Sequence, residues 1–343
     1  MKKSTIVSLI VATSCVAAGL IVAVVGLCMT VLSGDDFSGE ALPRTETVVE
    51  EDFHSMAVEV DTADVIFAKA EDGACRVVCV DHEYMQYAVA VREGVLTVTA
   101  EDTRRWYEHI EIFSRGESTV TVYLAADAYE SLSVISSTGD MTIPQALSFS
   151  GTVSLKASTG DIQMSAPAVG DLTVSLSTGH LELLNCGAAG KVDIRTTTGD
   201  VTLRGLSCVS LAVAASSGDL TAENVRVEGA VAVTRSSGDV RMSGITCESL
   251  TARSNTGDQD YTDLLVRGKL DCRTSTGDVT LTRSDAATLA ILTDTGDVTA
   301  SLLSPKIVYA ETDTGSVRIP HSTEGGVFEI TTDTGDIRVQ FEE

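Results

Sequence analysis

The feature that most constrains this chain is a glycine that returns about every 20 residues, in a motif typified by RTSTGDVTLTR at residues 273–283. Eleven copies follow one another, and successive glycines are 19 to 21 residues apart. A period of this length is typical of repeat proteins, in which each unit buries its apolar face against the next. The repeated glycines are Gly139, Gly160, Gly179, Gly199, Gly218, Gly238, Gly257, Gly277, Gly296, Gly315 and Gly335.

Apolar residues recur at fixed distances from each glycine, namely seven and five residues before it and two and four residues after it. Among these 44 positions only Gln259 is plainly polar. A spacing of two indicates strands on both sides of the glycine, and weaker apolar positions further on suggest a short third side. The sequence therefore predicts an all-β fold, a single-chain parallel β-solenoid with about 20 residues per coil and a length of roughly 50 Å.

The glycine itself has a structural explanation. A corner that joins two strands needs a backbone conformation that a residue with a Cβ atom resists, whereas glycine adopts positive φ freely. The flanking Ser, Thr, Asn and Asp side chains can hold such a corner through hydrogen bonds to nearby backbone amides. The motif is thus interpreted as structural, and all eleven glycines are predicted corner residues.

The amino end differs from the rest of the chain. Lys2 and Lys3 precede an uncharged run at residues 4–34, which is longer than the roughly 20 residues that span a bilayer. A cleavable signal peptide would have a shorter apolar region, and the two lysines favour a cytoplasmic amino terminus. We therefore expect a single-pass anchor in the cell membrane at residues 1–34, with the remainder outside the cell.

Three further segments follow from this division. Residues 35–44 are a predicted linker, residues 45–131 an irregular β head that caps the solenoid with enlarged coils, and residues 132–343 the regular solenoid. Within the head, residues 58–70 repeat the motif with Ala63 in place of glycine. At the other end Glu342 and Glu343 are expected to discourage end-to-end stacking through the last open strand.

Together these features resemble the "putative adhesin" family of bacterial envelope proteins, a domain of unknown function related to the Lia-type envelope proteins. The resemblance rests on FHSMAVEVDTADVIF, YESLSVISSTGDMTI and the serial STGDV copies, and it covers about residues 45–341. It implies a right-handed β-solenoid outside the cell. It implies no catalytic residues.

Acidic side chains follow most of the corner glycines, and near the C-terminus each coil adds a second acid. Stacked carboxylates about 5 Å apart repel one another, and bound cations or amide donors could relieve this. One hypothesis is that a group of these acids binds Ca²⁺ weakly. The alternative is that each Asp caps its own turn. The acids in question are Asp294, Asp297, Asp313, Asp333 and Asp336.

Aromatic residues are concentrated in the head. Tyr84, Tyr87, Trp106 and Tyr107 could stack on a sugar ring or anchor a protein partner, so they are candidate partner-binding residues. The alternative is that they form the core of the head. The expected partners are the membrane, through residues 4–34, and a cell-envelope or cell-surface protein or glycan.

The composition of the chain argues against two classes of function, nucleic-acid binding and catalysis. The net charge of −25, with only 24 Lys and Arg in 343 residues, argues against nucleic-acid binding. The five histidines are scattered and no catalytic pattern stands out, so no enzyme activity and no cofactor beyond weak calcium are predicted. We expect an adhesin-like interaction or scaffold protein. Two alternatives are an accessory protein of envelope-stress sensing that acts through a membrane partner and, further removed, a carbohydrate-active enzyme on a β-helix.

Overall fold

The computed structural model describes residues 42–82, 84–103 and 118–342, and every regular element among them is a β-strand. No helix in these ranges is long and apolar enough to cross a membrane, and the predicted anchor at residues 4–34 lies outside them. The strands that precede the first corner glycine motif are β1 (Arg44–Val48), β2 (Ser55–Val60), β3 (Asp64–Lys69), β4 (Arg76–Val80), β5 (Met85–Arg92), β6 (Val95–Asp102), β7 (Thr119–Leu124) and β8 (Ala128–Tyr129).

The repeats supply the remaining strands, one before and one after each corner glycine, with short strands between coils. They are β9 (Ser131–Thr138), β10 (Met141–Ile143), β11 (Ser148–Phe149), β12 (Val153–Thr159), β13 (Ile162–Met164), β14 (Leu172–Thr178), β15 (Leu181–Leu184), β16 (Lys191–Thr198), β17 (Val201–Arg204), β18 (Ser207–Cys208), β19 (Ser210–Ser217), β20 (Leu220–Glu223), β21 (Arg226–Val227), β22 (Ala230–Arg235), β23 (Val240–Ser243), β24 (Thr246–Cys247), β25 (Ser249–Thr256), β26 (Gln259–Thr262), β27 (Leu265–Thr276), β28 (Val279–Thr295), β29 (Val298–Leu302), β30 (Ile307–Thr314), β31 (Val317–Arg318), β32 (Val327–Thr334) and β33 (Ile337–Phe341).

Equivalent strands of neighbouring coils pair in parallel, which confirms the predicted β-solenoid. Strands before the corner stack along one long face, with Leu172 of β14 opposite Val192 of β16. Strands after the corner stack along a second face, with Leu181 of β15 opposite Val201 of β17. The predicted third side is also present, because β18, β21, β24 and β27 pair in parallel between the two long faces.

The core is a continuous column inside the coils. Of the 44 positions that the sequence predicts to face inward, 40 are buried. Gln259 is fully buried and satisfied, since its Nε2 donates to Ser254 Oγ at 3.0 Å and its Oε1 accepts the Tyr261 hydroxyl at 2.8 Å. The four positions that are not buried all belong to the coil of Gly315, and they are Val308, Ala310, Val317 and Ile319.

That exception arises because the last two coils do not stack in chain order. Strand β32 lies between β28 and β30, and β33 lies between β29 and β31. The coil at residues 327–341 is therefore inserted beneath the coil at residues 307–319, which is outermost. The expectation that the chain's final strand is the open edge is wrong, because β33 has a neighbour on each side.

Two connections make this insertion possible. The first connection, from β29 to β30, passes through Lys306. This lysine is buried, and its Nζ lies 2.7 Å from Asp285 Oδ1 and from Ser304 Oγ. The second connection, from β31 to β32, passes through Gly325 and Gly326. An added Cβ atom on these glycines would lie 1.9 and 1.7 Å from backbone carbonyl oxygens. An ion pair with a buried lysine thus lies on one connection, and two residues without side chains allow the close approach of the other.

The first coils are also out of chain order. The coil of β2 and β3, built around Ala63, stacks directly on β9 and β10, and the later strands β6 and β7 lie on its other side. Beyond these, β5 pairs with β6, and β4 with β7, in antiparallel fashion, and β1 pairs with β4. Antiparallel pairing among the described strands occurs only in this part.

Candidate functional site

The corner glycines form a stack in which each is in contact with the one before. All eleven have φ between +110° and +158°. A Cβ atom on any of them would lie between 1.9 and 2.4 Å from the carbonyl oxygen of the equivalent residue in the adjacent coil. Glycine is therefore required twice, for its backbone conformation and for the close approach of one corner to the next.

The acids after the glycines form a hydrogen-bonded ladder along this edge. The Oδ1 atom of Asp258 accepts the backbone N–H of Asp278 at 2.9 Å, and Asp278 accepts that of Asp297 at 2.8 Å. The same bond links adjacent coils from Asp64 to Ser316. Each Asp thus caps the corner of the neighbouring coil, and the alternative interpretation, that each caps its own turn, is wrong.

One rung of the ladder uses a different side chain. His180 stands where other coils have Asp, and its Nδ1 accepts the backbone N–H of Asp200 at 3.3 Å. An imidazole nitrogen can accept only when it carries no proton, so this rung requires Nδ1 to be unprotonated. The rest of the ladder relies on carboxylate oxygens.

The five acids of the calcium hypothesis lie on the last coils of this edge. Asp297 and Asp336 belong to the ladder, and their Oδ1 atoms accept the N–H groups of Asp336 and Ser316 at 2.7 and 2.8 Å. The amide hydrogen bond from Ser316 is the main reason that the pKa of Asp336 is lowered. Asp294, Asp313 and Asp333 are exposed beside them. Within the described ranges, no three His, Cys, Asp or Glu side chains are grouped so as to hold a metal ion.

A small cavity of about 370 Å³ lies between β1, β4 and β5. Its most buried polar side chain is Asp81, which is 4% exposed. Its carboxylate accepts the Tyr87 hydroxyl, Ser118 Oγ at 2.6 Å and the backbone N–H of His82 at 2.7 Å. Burial, followed by the bond to Asp81, raises the pKa of Tyr87. All three donors to this carboxylate are neutral groups.

The predicted aromatic residues are only partly brought together. Tyr87 lines the cavity, and Tyr84 stacks on His82, another lining residue, with ring centroids 5.0 Å apart. Trp106 and Tyr107 lie outside the described residues. The structure thus brings two of the four candidates to one place beside Asp81, a residue that the sequence analysis did not single out.

The family called Toastrack DUF4097 matches the chain at residues 53–258 and 244–343, which together cover most of its length. The chain belongs to the Toastrack DUF4097 family. This confirms the resemblance to a family of unknown function that the repeated motif indicates. No protein with a curated description matches the chain.

Several solved structures align with most of this Toastrack chain at low sequence identity. A putative lipid binding protein from Parabacteroides distasonis has 12% identity and a TM-score of 0.39, and the alignment covers 88% of this chain and 98% of that one. Another, a putative adhesin from Parabacteroides merdae, has 10% identity and a TM-score of 0.37, covering 89% and 98%. A putative adhesin from Bacteroides fragilis has 11% identity and a TM-score of 0.34, covering 88% and 98%.

The open end of the Toastrack solenoid is a further surface that the sequence alone does not reveal. Val317 and Ile319 are 41% and 39% exposed there, although they occupy inward positions of the repeat. We call the surface formed by Val308, Ala310, Val317 and Ile319 the C-terminal end face. No signal in the motif distinguishes this coil except Ser316, which replaces the corner Asp.

Arg235 is another feature that the pattern did not predict. It lies three residues before Gly238, at a position that faces the interior, and it is 3% exposed. Its three guanidinium nitrogens have no hydrogen-bond partner. Burial lowers the pKa of Arg235, although the nearby Asp219, Asp200 and Asp239 act in the opposite direction. A buried charge without hydrogen bonds destabilises the folded state.

Proposed function

We propose that this protein is a non-enzymatic, adhesin-like interaction protein that a membrane anchor at residues 4–34 holds at the outer face of the cell. The solenoid then acts as a stiff spacer. The observation that carries the proposal is the C-terminal end face, where Val317 and Ile319 are exposed and Val308 and Ala310 are only half-buried, at one end of an otherwise buried column. Exposed apolar positions of this kind are typical of interaction surfaces.

The direction of the chain supports this function. The proposed anchor precedes residue 42, the first described residue, and the coil at residues 307–319 closes the opposite end of the stack. Eleven coils at about 4.8 Å each would carry that end roughly 50 Å beyond the first corner. The ladder of corner hydrogen bonds links all of these coils, which favours a rigid rod over a flexible tether.

A second candidate function is an accessory role in envelope-stress sensing through a membrane protein. The cavity beside Asp81 favours it. Its residues Asp81, His82 and Tyr87 lie much nearer in sequence to the proposed anchor than the C-terminal end face does. A partner with a cationic or hydrogen-bonding group could enter this partly enclosed site beside Asp81.

Photocrosslinking in living cells separates the two. Probes at Gln86, beside the cavity, and at Ile319, on the end face, would be compared with a probe at Arg253 on the outer side of a middle coil. We expect capture of cell-surface components at Ile319. Capture of a membrane protein at Gln86 alone would favour the sensing role, and equal capture at all three positions would contradict both proposals.

A further inference from the structure

The C-terminal end face combines apolar side chains with free strand edges. Among the described strands β30 pairs only with β32, and β31 only with β33, so the outer edge of each has backbone groups available for another strand. Open edges beside apolar positions are templates for strand addition, and proteins that remain monomeric usually block them. Here the edge carries no proline until Pro320, and Ile319 stands beside it exposed.

We propose that this end face pairs with the end face of a second copy of the chain, through a twofold axis that passes radially through the corner at Gly315. The two rods then extend in opposite directions from the contact. The pairing itself requires only the described structure. Its consequence for membranes rests on the proposed anchor.

The direction of the two edge strands is what makes the face complementary to itself. Strand β30 runs toward the corner and β31 runs away from it, so a radial twofold axis lays β30 of one copy along β31 of the other, antiparallel. Such an axis also keeps inward side chains inward. In the register that sets Ala310 opposite Ile319 of the second copy, Thr312 meets Val317, and both pairs close over the core.

The same register brings opposite charges together on the outer side. Glu311 of one copy lies opposite Arg318 of the other, and the twofold axis creates this pair twice. The corner retains one acid, Asp313, which in this register lies opposite Ser316 of the second copy, where the other coils carry the ladder Asp or His180. A chain with a net charge of −25 would otherwise oppose self-association, so the local charge pattern favours a second copy over contact elsewhere on the rod.

The geometry limits how two anchored copies can meet. In a pair joined at the C-terminal end faces, the first corners of the two solenoids lie at opposite ends, separated by roughly twice the 50 Å of one solenoid. Copies in one flat membrane cannot readily adopt this arrangement, whereas copies in two facing membranes can. The pairing thus specifies homophilic adhesion, in which the bound component is the same protein on a neighbouring surface.

Charge variants of the full chain in detergent micelles test the pairing. Sedimentation at micromolar concentrations should show a dimer for the natural sequence. Arg318→Glu should weaken it about tenfold or more, since both cross-strand pairs become repulsive. The exchange of both charges, Glu311→Arg with Arg318→Glu, should restore the dimer. Arg253→Glu, on the outer side of a middle coil, is the matched control and should leave the dimer unchanged.

Several outcomes would overturn the inference. These are a monomeric natural sequence, a dimer that Arg318→Glu does not weaken, a charge exchange that fails to restore it, and assemblies larger than a dimer, which a closed twofold pair excludes.

Vesicles that carry the full chain then test the membrane step. They should cluster with the natural sequence and with the charge-exchanged variant but not with Arg318→Glu. Unclustered vesicles with an intact dimer would overturn the homophilic step. If the homophilic step fails but cells that carry the protein still adhere to a surface that lacks it, the proposed adhesin-like function is retained.

Discussion

The backbone N–H of Ser316 donates to Asp336 Oδ1 at 2.8 Å, so the corner that is tenth in the chain lies outermost in the stack. This explains the one corner with a serine. Every other carboxylate on the ladder accepts an N–H group from the coil beyond it, and Ser316 has no described coil beyond it. An acid at that position would have no amide to cap.

The glycine stack predicts that Gly277→Ala is severely destabilising. Its Cβ atom would lie 2.1 Å from the carbonyl oxygen of Gly257, in addition to the strain at φ +146°. We expect a loss of more than about 3 kcal/mol in the free energy of unfolding, measured by urea denaturation. Gly73→Ala is the control, because Gly73 has φ +71° but nothing within 4 Å of its added Cβ. That variant should lose only about 1 kcal/mol. Similar losses for both would contradict the close approach of the corners.

The aspartate ladder predicts different effects of two substitutions at one corner. Asp278→Ala removes the acceptor for the N–H of Asp297 and should cost about 1 kcal/mol, since water can partly replace the bond at this exposed edge. Asp278→Asn keeps an oxygen in the same place and should cost less than about half of that. Thermal unfolding of the two variants checks the order. A larger loss for Asn than for Ala would contradict a role of the side-chain oxygen as a cap.

The buried guanidinium of Arg235 predicts a stabilising substitution. Leu176 fills the equivalent position three coils earlier, and it is buried. Arg235→Leu should raise the free energy of unfolding by about 2 kcal/mol, because it removes a charge that has no hydrogen-bond partner. Arg253→Leu, on the exposed side, should change it by less than about 0.5 kcal/mol. A destabilised Arg235→Leu protein would show that the guanidinium has an undetected partner.

The interior cysteines predict a loss of stability at alkaline pH. Burial raises the pKa of Cys208 from 9.0 to about 12 and that of Cys247 from 9.0 to about 11. Because the folded state disfavours the thiolate, their contribution is complete below pH 9.0 and is lost as pH rises toward 11 to 12. Valine occupies the same place in neighbouring coils, at Val227 and Val266. Urea denaturation across this range should therefore show a shallower decline for Cys208→Val with Cys247→Val, and an identical decline would contradict the prediction.

The hydrogen bonds of the ladder argue against calcium binding by the acids near the C-terminus. One oxygen of Asp297 and one of Asp336 already accept amide hydrogens, which leaves fewer oxygens for a cation that takes six to eight. We expect calorimetric titration with millimolar Ca²⁺ to give no binding heat and no gain in melting temperature. A heat that disappears on the changes Asp294→Asn, Asp313→Asn and Asp333→Asn would instead support the calcium hypothesis.

The sequence predicts the coil well because its evidence is local and repeated. A glycine with alternating neighbours specifies the corner and the inward positions, and even Ala63 is recognised as an equivalent residue. The order of the coils is not local. It depends on Lys306 meeting Asp285, and on Gly325 and Gly326 passing close to other backbone, none of which belongs to the repeat. The cavity beside Asp81 is likewise assembled from strands that the period does not describe.

The insertion of residues 327–341 beneath residues 307–319 has a consequence for biosynthesis. The outer coil gains its neighbouring strands, β32 and β33, only when residues 327–341 have emerged. A chain that stops after residue 319 would lack the layer on which its last coil rests. The outer coil is thus completed only after residues 327–341 have been synthesised, so a chain that stops within these residues has an incomplete layer beneath its outer coil.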